Sequence, residues 1–449
     1  MNQTYNEMAS KPVFPLLMKM AIPPMISMLI QSLYNIVDSI FVAKIGEEAL
    51  TALSLAYPLQ NLSLACSVGI GVAINALIAK NLGAKQNNEA NNICDHGIVL
   101  ALFHSLLFVL MGIFLMKPFF MLFTNDPLVL QYGITYGSIV ITFTFGSIIH
   151  ITIEKMFQAT GNMIIPMFLQ GIGAIINIIL DPILIFGING YFEMGVAGAA
   201  IATIIGQMTA CLLAIILFIK TSDLKISFKN FKLNKQTIIK IYSIGIPSGI
   251  MQGLPSLLVS LLNGILATVS QSAIAFFGVY YKLQSFIYMP ANGLIQGMRP
   301  LISYNFGAKK YERVKETIKI ALKAALTYSI IGVILMELFP QVFVSLFAND
   351  TKLIELSYQL LRIYIFGFII MGAFSTFQQT YNALGCGKNA FFFAFFRKII
   401  LLIPLIYILP LILPSYGVFA VVLAEPISDL MTTIINGLYF KKFVKKTLI

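Results

Sequence analysis

Apolar residues run in long blocks along this chain, broken by short clusters of lysine, asparagine, glycine and proline. Blocks such as 98-IVLALFHSLLFVLMGIFLM-116 and 399-IILLIPLIYILPLIL-413 are apolar on every face. They reach or approach the ~20 residues that a helix needs to cross a bilayer. Reading each block between its polar breaks predicts twelve spans. The first six are 13–42, 49–79, 93–116, 130–154, 164–188 and 195–219. The second six are 238–268, 273–303, 316–339, 353–380, 390–413 and 416–440. Helices are required, because an isolated strand would leave its backbone groups unpaired in lipid. The blocks also lack the alternation of a membrane barrel.

Composition excludes a soluble protein: 58% of residues are hydrophobic and 11% charged, where a soluble domain carries ~25% charged residues. The polar start, Met1 to Lys11, has no short apolar run leading to a small-residue cleavage site, so the first span is expected to remain as an anchor. A net charge of +12 would suggest nucleic acid in a soluble chain, but its placement is a topology signal. Lysine and arginine gather in both tails and in alternate gaps: Lys11 and Lys19, Lys80 and Lys85, Lys155, Lys220 to Lys240, Lys309 to Lys323, Lys388 to Lys398, and Lys441 to Lys446. The other gaps hold only Lys44, Lys117 and Lys352. This bias puts both termini in the cytoplasm, and no nucleic-acid partner is expected. Cys66, Cys94, Cys211 and Cys386 are scattered without metal-ligand spacing.

The chain repeats itself. Ile22-Pro23 recurs as Ile246-Pro247, an offset of 224 residues (247 − 23). The same offset carries Asn81-Leu-Gly-Ala-Lys85 onto Asn305-Phe-Gly-Ala-Lys309, Phe123-Thr-Asn-Asp126 onto Phe347-Ala-Asn-Asp350, and Gly161 onto Gly385. After a two-residue slip Gly195-Val196 falls on Gly417-Val418. A repeat with an even number of spans keeps its orientation, so the halves are expected to be related by an axis along the membrane normal. The organisation that follows is a cytoplasmic tail (1–12), a first lobe (13–220), a lysine-bearing cytoplasmic linker (221–236), a second lobe (237–440) and a basic tail (441–449).

Charges within spans need a partner or a function. Asp38 lies 25 residues into the first span and Asp181 17 residues into the fifth, ~37 Å and ~25 Å along outward-running helices at 1.5 Å per residue. Asn177 stands one turn from Asp181, and Thr203 of the sixth span reaches a similar depth. No lysine or arginine is expected mid-span in this half, so the two acids read as an uncompensated pair able to hold a proton, Na⁺ or an organic cation. The competing reading makes Asp38 a fringe of the outer loop and Asp181 the cap of a helix broken before Pro182. In the second half Lys282, Arg362, Glu425 and Asp429 fall at similar depths and suggest a balanced charge network for structure or gating. Glu154, on one face with His150, reads either as an entry-side cation contact or as an interfacial partner of Lys155. Arg299 is expected to snorkel. Pro23-Pro24 lies inside the first span, where proline favours a kink.

Pro23 with 31-QSLYNIVDSIFVAKIG-46, the NLGAK and NFGAK loops, 177-NIILDPILIFG-187 and 296-QGMRPLISYNFGAKK-310 together resemble the multidrug and toxic compound extrusion (MATE) family, over nearly the whole chain. The likeness is to its bacterial DinF-like branch and the MepA-like exporters within it. The resemblance implies an all-α, V-shaped, twelve-helix fold in two lobes, with drug exchanged for inward H⁺ or Na⁺. It places Asp38, Asn177 and Asp181 in the first-lobe cavity, matches Thr203 less closely, sets Tyr34 one turn before Asp38, and makes Pro23 a bend position. Asp38, Asn177, Asp181 and Thr203 would be the oxygen donors if the ion is Na⁺. Another branch uses acids in spans seven and ten, which this chain lacks. The expected activity is therefore export of lipophilic organic cations, drugs or dyes, by a monomer in the bacterial plasma membrane, surrounded by lipid and without a cofactor. The alternatives are a flippase for a lipid or lipid-linked substrate, which should favour a cationic cavity, and, from other classes, a channel or an intramembrane enzyme.

Overall fold

The computed structural model describes residues 3–187, 193–228, 231–269, 271–341, 361–362, 365–416 and 418–448. It is an all-α membrane fold of twelve spans in two six-helix lobes, with no strand among the described residues. A short α1 (Gln3–Ser10) precedes the first lobe, which comprises α2 (Val13–Ala43), α3 (Glu47–Gly83), α4 (Asn87–Phe114), the short α5 (Met116–Met121), α6 (Pro127–Thr142), α7 (Phe145–Ala159), α8 (Ile164–Phe186) and α9 (Val196–Thr221). The second lobe comprises α10 (Lys235–Val269), α11 (Gln271–Gly307), α12 (Tyr311–Leu338), α13 (Phe366–Ala383), α14 (Gly387–Phe395), α15 (Ile403–Ile412) and α16 (Val418–Thr447). The repeat positions 347–350 and Gly417, with Lys352 and the outer part of the tenth span, lie outside the described residues.

Two spans differ from their sequence reading. The fourth, expected as one run over 130–154, consists of α6 and α7 bent by 41°. The bend seats the buried Thr144, whose hydroxyl shares a 2.8 Å hydrogen bond with Ser63 on α3. The eleventh is interrupted by a π-helical turn, Phe396–Leu402, between α14 and α15. Pro404 follows that turn and has no N–H to continue a regular ladder.

The repeat is visible in the backbone. Lys85 and Lys309 have φ of 59° and 57°, and Gly161 and Gly385 both have 83°. At each turn an amide reaches back five residues: Gln86 to Asn81, Lys310 to Asn305, Asn162 to Phe157 and Cys386 to Tyr381. These are the long hydrogen bonds of Schellman caps, which end a helix in one left-handed residue.

Gly83 and Gly307 serve a different need, the approach of one lobe to the other. A Cβ on Gly83 would stand 1.9 Å from the Tyr304 carbonyl oxygen, and one on Gly307 1.9 Å from that of Lys80. The 224-residue offset interchanges these two contacts. It likewise relates Gly69 against Gly249 (2.6 Å) to Gly293 against Met25 (2.5 Å). Backbone thus meets backbone where α3 crosses α10 and α11, and where α2 crosses α11.

Around these crossings one apolar core joins the lobes at the end that carries the basic loops, running from Met8, Leu17, Ile74 and Ile78 to Ile241, Met298, Leu301 and Tyr381. Towards the opposite end a separate core forms within the first lobe, around Ala56, Phe108, Phe120 and Tyr136. The lobes are therefore closed together at the basic end. Each is also gripped by the segment that leads into the other. Asn305 Nδ2 and Arg313 Nε donate to the Met8 carbonyl (3.0 and 2.9 Å), and Lys310 Nζ to that of Ala9 (3.0 Å). Reciprocally, linker amides of Lys225, Ser227 and Asn234 donate to Asn91 Oδ1, Asp95 Oδ1 and His96 Nε2 on α4, at 2.9–3.0 Å.

Gly83→Val or Gly307→Val is expected to push the basic ends apart, because overpacking a tight contact costs ~1–3 kcal/mol. Spin labels at Lys85 and Lys309 should then report a longer separation. An unchanged distance distribution would show that these glycines do not set closure.

Candidate functional site

The first-lobe site is built on α2, α8 and α9. α8 runs unbroken through Pro182, so Asp181 is an interior helical residue, fully buried, and does not cap a broken helix. Asn177 lies one turn before it on the same face. Gly173 and Gly206 let α8 and α9 approach: a Cβ on Gly206 would meet the Gly173 carbonyl oxygen at 2.6 Å. Asn177 Nδ2 consequently reaches both Asp181 Oδ1 and Thr203 Oγ1, each at 3.3 Å.

From α2, the Asp38 carboxyl comes within side-chain hydrogen-bonding range of Asp181, and the Tyr34 hydroxyl lies close to Thr203. Tyr136 of α6, held by Gln60 Nε2 at 3.1 Å, faces the same carboxyls. Among the described residues, no ion-pair partner reaches Asp38 or Asp181, and Asp38 Oδ1, Asp181 Oδ2 and Asn177 Oδ1 have no hydrogen-bond partner. Two carboxylates with amide and hydroxyl oxygens make a hard-oxygen set suited to a proton or Na⁺ rather than a soft transition metal. No cluster of three metal-ligating His, Cys, Asp or Glu side chains occurs among the described residues.

α2 continues as one helix across Pro23 and Pro24. A Cβ on Gly293 of α11 would stand 2.8 Å from the Pro24 carbonyl carbon, so any bend at this pair must move against the second lobe. Contact between α2 and α11 extends to Ser32 against Met289. Asp38 lies six residues further on (38 − 32), ~9 Å beyond that contact along the helix.

Glu154 sits at the other end of the lobe, near the closed crossing. Its neighbour Lys155, read from sequence as a loop charge, lies inside α7 and is 5% exposed. The helix extends to Ala159, and the side chains around Lys155 supply enough acceptors to bury an ammonium: Glu154 Oε1 at 2.8 Å, Gln158 Oε1 at 3.1 Å and, from the second lobe, Gln296 Oε1 at 3.1 Å. Gln158 also donates to Glu154 Oε1 at 2.7 Å. The i, i+4 spacing of Glu154 and Gln158 was a signal available in sequence once the span is carried past residue 154.

The second-lobe network needs correction. Glu425 and Asp429 are buried, and among the described residues they pair with Lys398 (2.6 Å) and Arg397 (3.1 Å), not with Arg362. Arg397 and Lys398 had read as loop charges; the π-helical turn draws them into the lobe, where they are 7% and 8% exposed. Arg362 forms a half-exposed ion pair with Glu337 at 3.3 Å, and the side chain of Lys282 lies outside the described residues. Arg299, expected to snorkel, is 3% exposed and donates twice to Gln379 Oε1, at 2.8 and 3.1 Å.

Duplicated helical lobes that meet at one end, with a polar site beyond the meeting, are the working parts of a membrane transporter that opens to alternate sides. The family model described as MatE matches residues 23–183 and 247–408, one match in each lobe, and the chain belongs to that family. MATE proteins are transporters, not enzymes. Among curated relatives, Multidrug export protein MepA of Staphylococcus aureus (strain MRSA252) is 28% identical over 438 residues, covering 94% of this chain and 93% of that protein. A solved MATE transporter described as outward-facing shares the fold at a TM-score of 0.94, with 20% identity and 99% of each chain covered. A transporter from Pyrococcus furiosus, described as having a binding pocket of reverse polarity that suggests a different function, shares it at 0.93, with 21% identity and 99% of each chain covered. The fold alone therefore does not select a cargo.

Lys398→Met is expected to destabilise the folded protein by ~3–5 kcal/mol, since it removes the 2.6 Å cationic partner of the buried Glu425. Lys398→Met with Glu425→Met should recover most of that loss. Thermal unfolding in detergent checks both, and a single variant as stable as wild type would show that the pair is not buried in the working protein.

Proposed function

We propose that this protein exports lipophilic organic cations by antiport, with Asp38 and Asp181 as the groups through which inward H⁺ or Na⁺ drives release. The observation that carries this reading is the acid pair itself: two carboxyls in contact within a membrane lobe, each with an orphaned oxygen and no ion-pair partner among the described residues. Carboxyls this close in a dry site repel unless a proton or cation lies between them. Ion and cargo thus compete for one negative site.

The basic loops set the closed end at the cytoplasm by the positive-inside rule, with both termini on that side. This conformation is then the one open outward, in which the driving ion enters and cargo leaves. One cation moving inward gains ~2.3 kcal/mol per 100 mV of membrane potential. The multidrug-export description of the MepA relative supports the cargo class. A lipid flippase is disfavoured, because an anionic headgroup would be repelled by an acid-lined first lobe.

In proteoliposomes the wild type is expected to export ethidium when a pH gradient or a Na⁺ gradient is imposed, and the gradient that works identifies the ion. Asp38→Asn and Asp181→Asn should each abolish transport while the protein still folds and inserts. Wild-type rates in both variants would defeat the assignment.

A further inference from the structure

The contacts of Lys155 describe a cation site that is already filled. Its ammonium has three N–H groups, and each meets a side-chain oxygen: Glu154 Oε1, Gln158 Oε1 and Gln296 Oε1. The stem lies against Gly71, where a Cβ would come within 2.6 Å of Lys155 Cγ, and Asn75 Nδ2 holds the Lys155 carbonyl at 3.2 Å. Beside this cradle is a void of about 10 Å³, walled by Pro24, Met28, Met163 and Pro166. In this closed state it has room for about one water.

The cradle is divided between the lobes. Glu154 and Gln158 belong to α7, whereas Gln296 belongs to α11. Closing the basic end brings in Gln296, the third acceptor, and also Arg299, whose positive charge acts on Lys155. Both changes oppose a second cation at Glu154. Opening removes the third acceptor and admits water, which weakens the Lys155–Glu154 attraction several-fold through its dielectric. It also uncovers the proline and methionine wall, which a lipophilic cation can contact and an ammonium cannot.

Polar groups continue from the cradle towards the acid pair. Gln170, which also lines the void, donates to Gln31 of α2 at 3.3 Å. Tyr34 and Asp38 follow Gln31 at successive turns of α2, while Asn177 and Asp181 follow Gln170 on α8. Gln170 to Asp181 is eleven residues (181 − 170), ~16 Å of helix.

We infer that the Glu154–Gln158 cradle is a cytoplasmic-side station for the exported cation, and that Lys155 is its tethered competitor, which takes Glu154 as the lobes close and drives the cargo towards Asp38. This rests on the cation-export reading above. A tethered group competes at an effective concentration of ~mM or more, enough to displace a cargo held weakly in the open state.

The test is ethidium binding to purified protein without a gradient, alongside export in proteoliposomes. Lys155→Met should bind ethidium about tenfold more tightly and export it more slowly. Gln296→Leu keeps both charges, loosens the hold on Lys155 and should tighten binding in the same direction. Glu154→Gln combined with Lys155→Met should bind no more tightly than wild type. If the wild type exports ethidium but neither Lys155→Met nor Gln296→Leu binds it more tightly, the inference is overturned and the antiport reading stands. A wild type silent under both gradients overturns both.

Discussion

The approach of α3 and α11 at Gly83 and Gly307 is the constraint on which the other features depend. At these crossings the carbonyls of Tyr304 and Lys80 occupy the space where a side chain would begin. Apolar side chains from both lobes can then merge into one core at the basic end. The same approach brings Gln296 to Lys155 and α1 to Asn305 and Arg313. Packed interiors are close to crystalline density and do not deform continuously. A contact of this kind is therefore made or broken as a unit, which gives a transporter two states rather than a range.

The lobes share a backbone plan but handle buried charge in opposite ways. In the second lobe Arg397 and Lys398 meet Asp429 and Glu425, and these four described charges balance. Such a cluster gains little from a further ion and suits a rigid scaffold. In the first lobe, among the described residues, Asp38 and Asp181 have amides, hydroxyls and each other but no basic side chain. That arrangement carries a desolvation cost that no described basic side chain offsets. The 224-residue repeat gives two matching frames, and charge placement distinguishes them.

The spans, the repeat and the first-lobe cluster were legible because each leaves a local mark: an apolar run, a matching offset, or an acid without a base. Three of the charges that sequence reasoning misplaced share one cause. Lys155, Arg397 and Lys398 lie near the ends of apolar runs, and the positive-inside pattern assigns such residues to loops. Extra helical turn at Ala159 and the π-helical turn before Pro404 place them inside instead. Their partners come from distant segments, Gln296 for Lys155 and α16 for the other two. Only tertiary structure pairs them. Arg362 shows the reverse error, since similar depth in two helices does not make two residues face each other.

Alternating access requires that what stabilises one state be absent from the other. Three groups at the basic end meet this condition, because each depends on both lobes: the glycine crossings, the grip on Met8, and the third acceptor for Lys155. Among the described residues the hydrogen-bonding contacts of the Asp38–Asp181 site lie within the first lobe. An ion bound there shifts the balance of states by what it changes along the helices that carry the site, α2 and α8 among them. Those two helices also carry Pro24, Gln31, Pro166 and Gln170 between the acid pair and the crossing. The acid pair at one end and the crossing at the other are thus joined by α2 and α8. Any displacement of α2 that accommodates an ion at Asp38 must be taken up at the proline pair, where Gly293 leaves no slack.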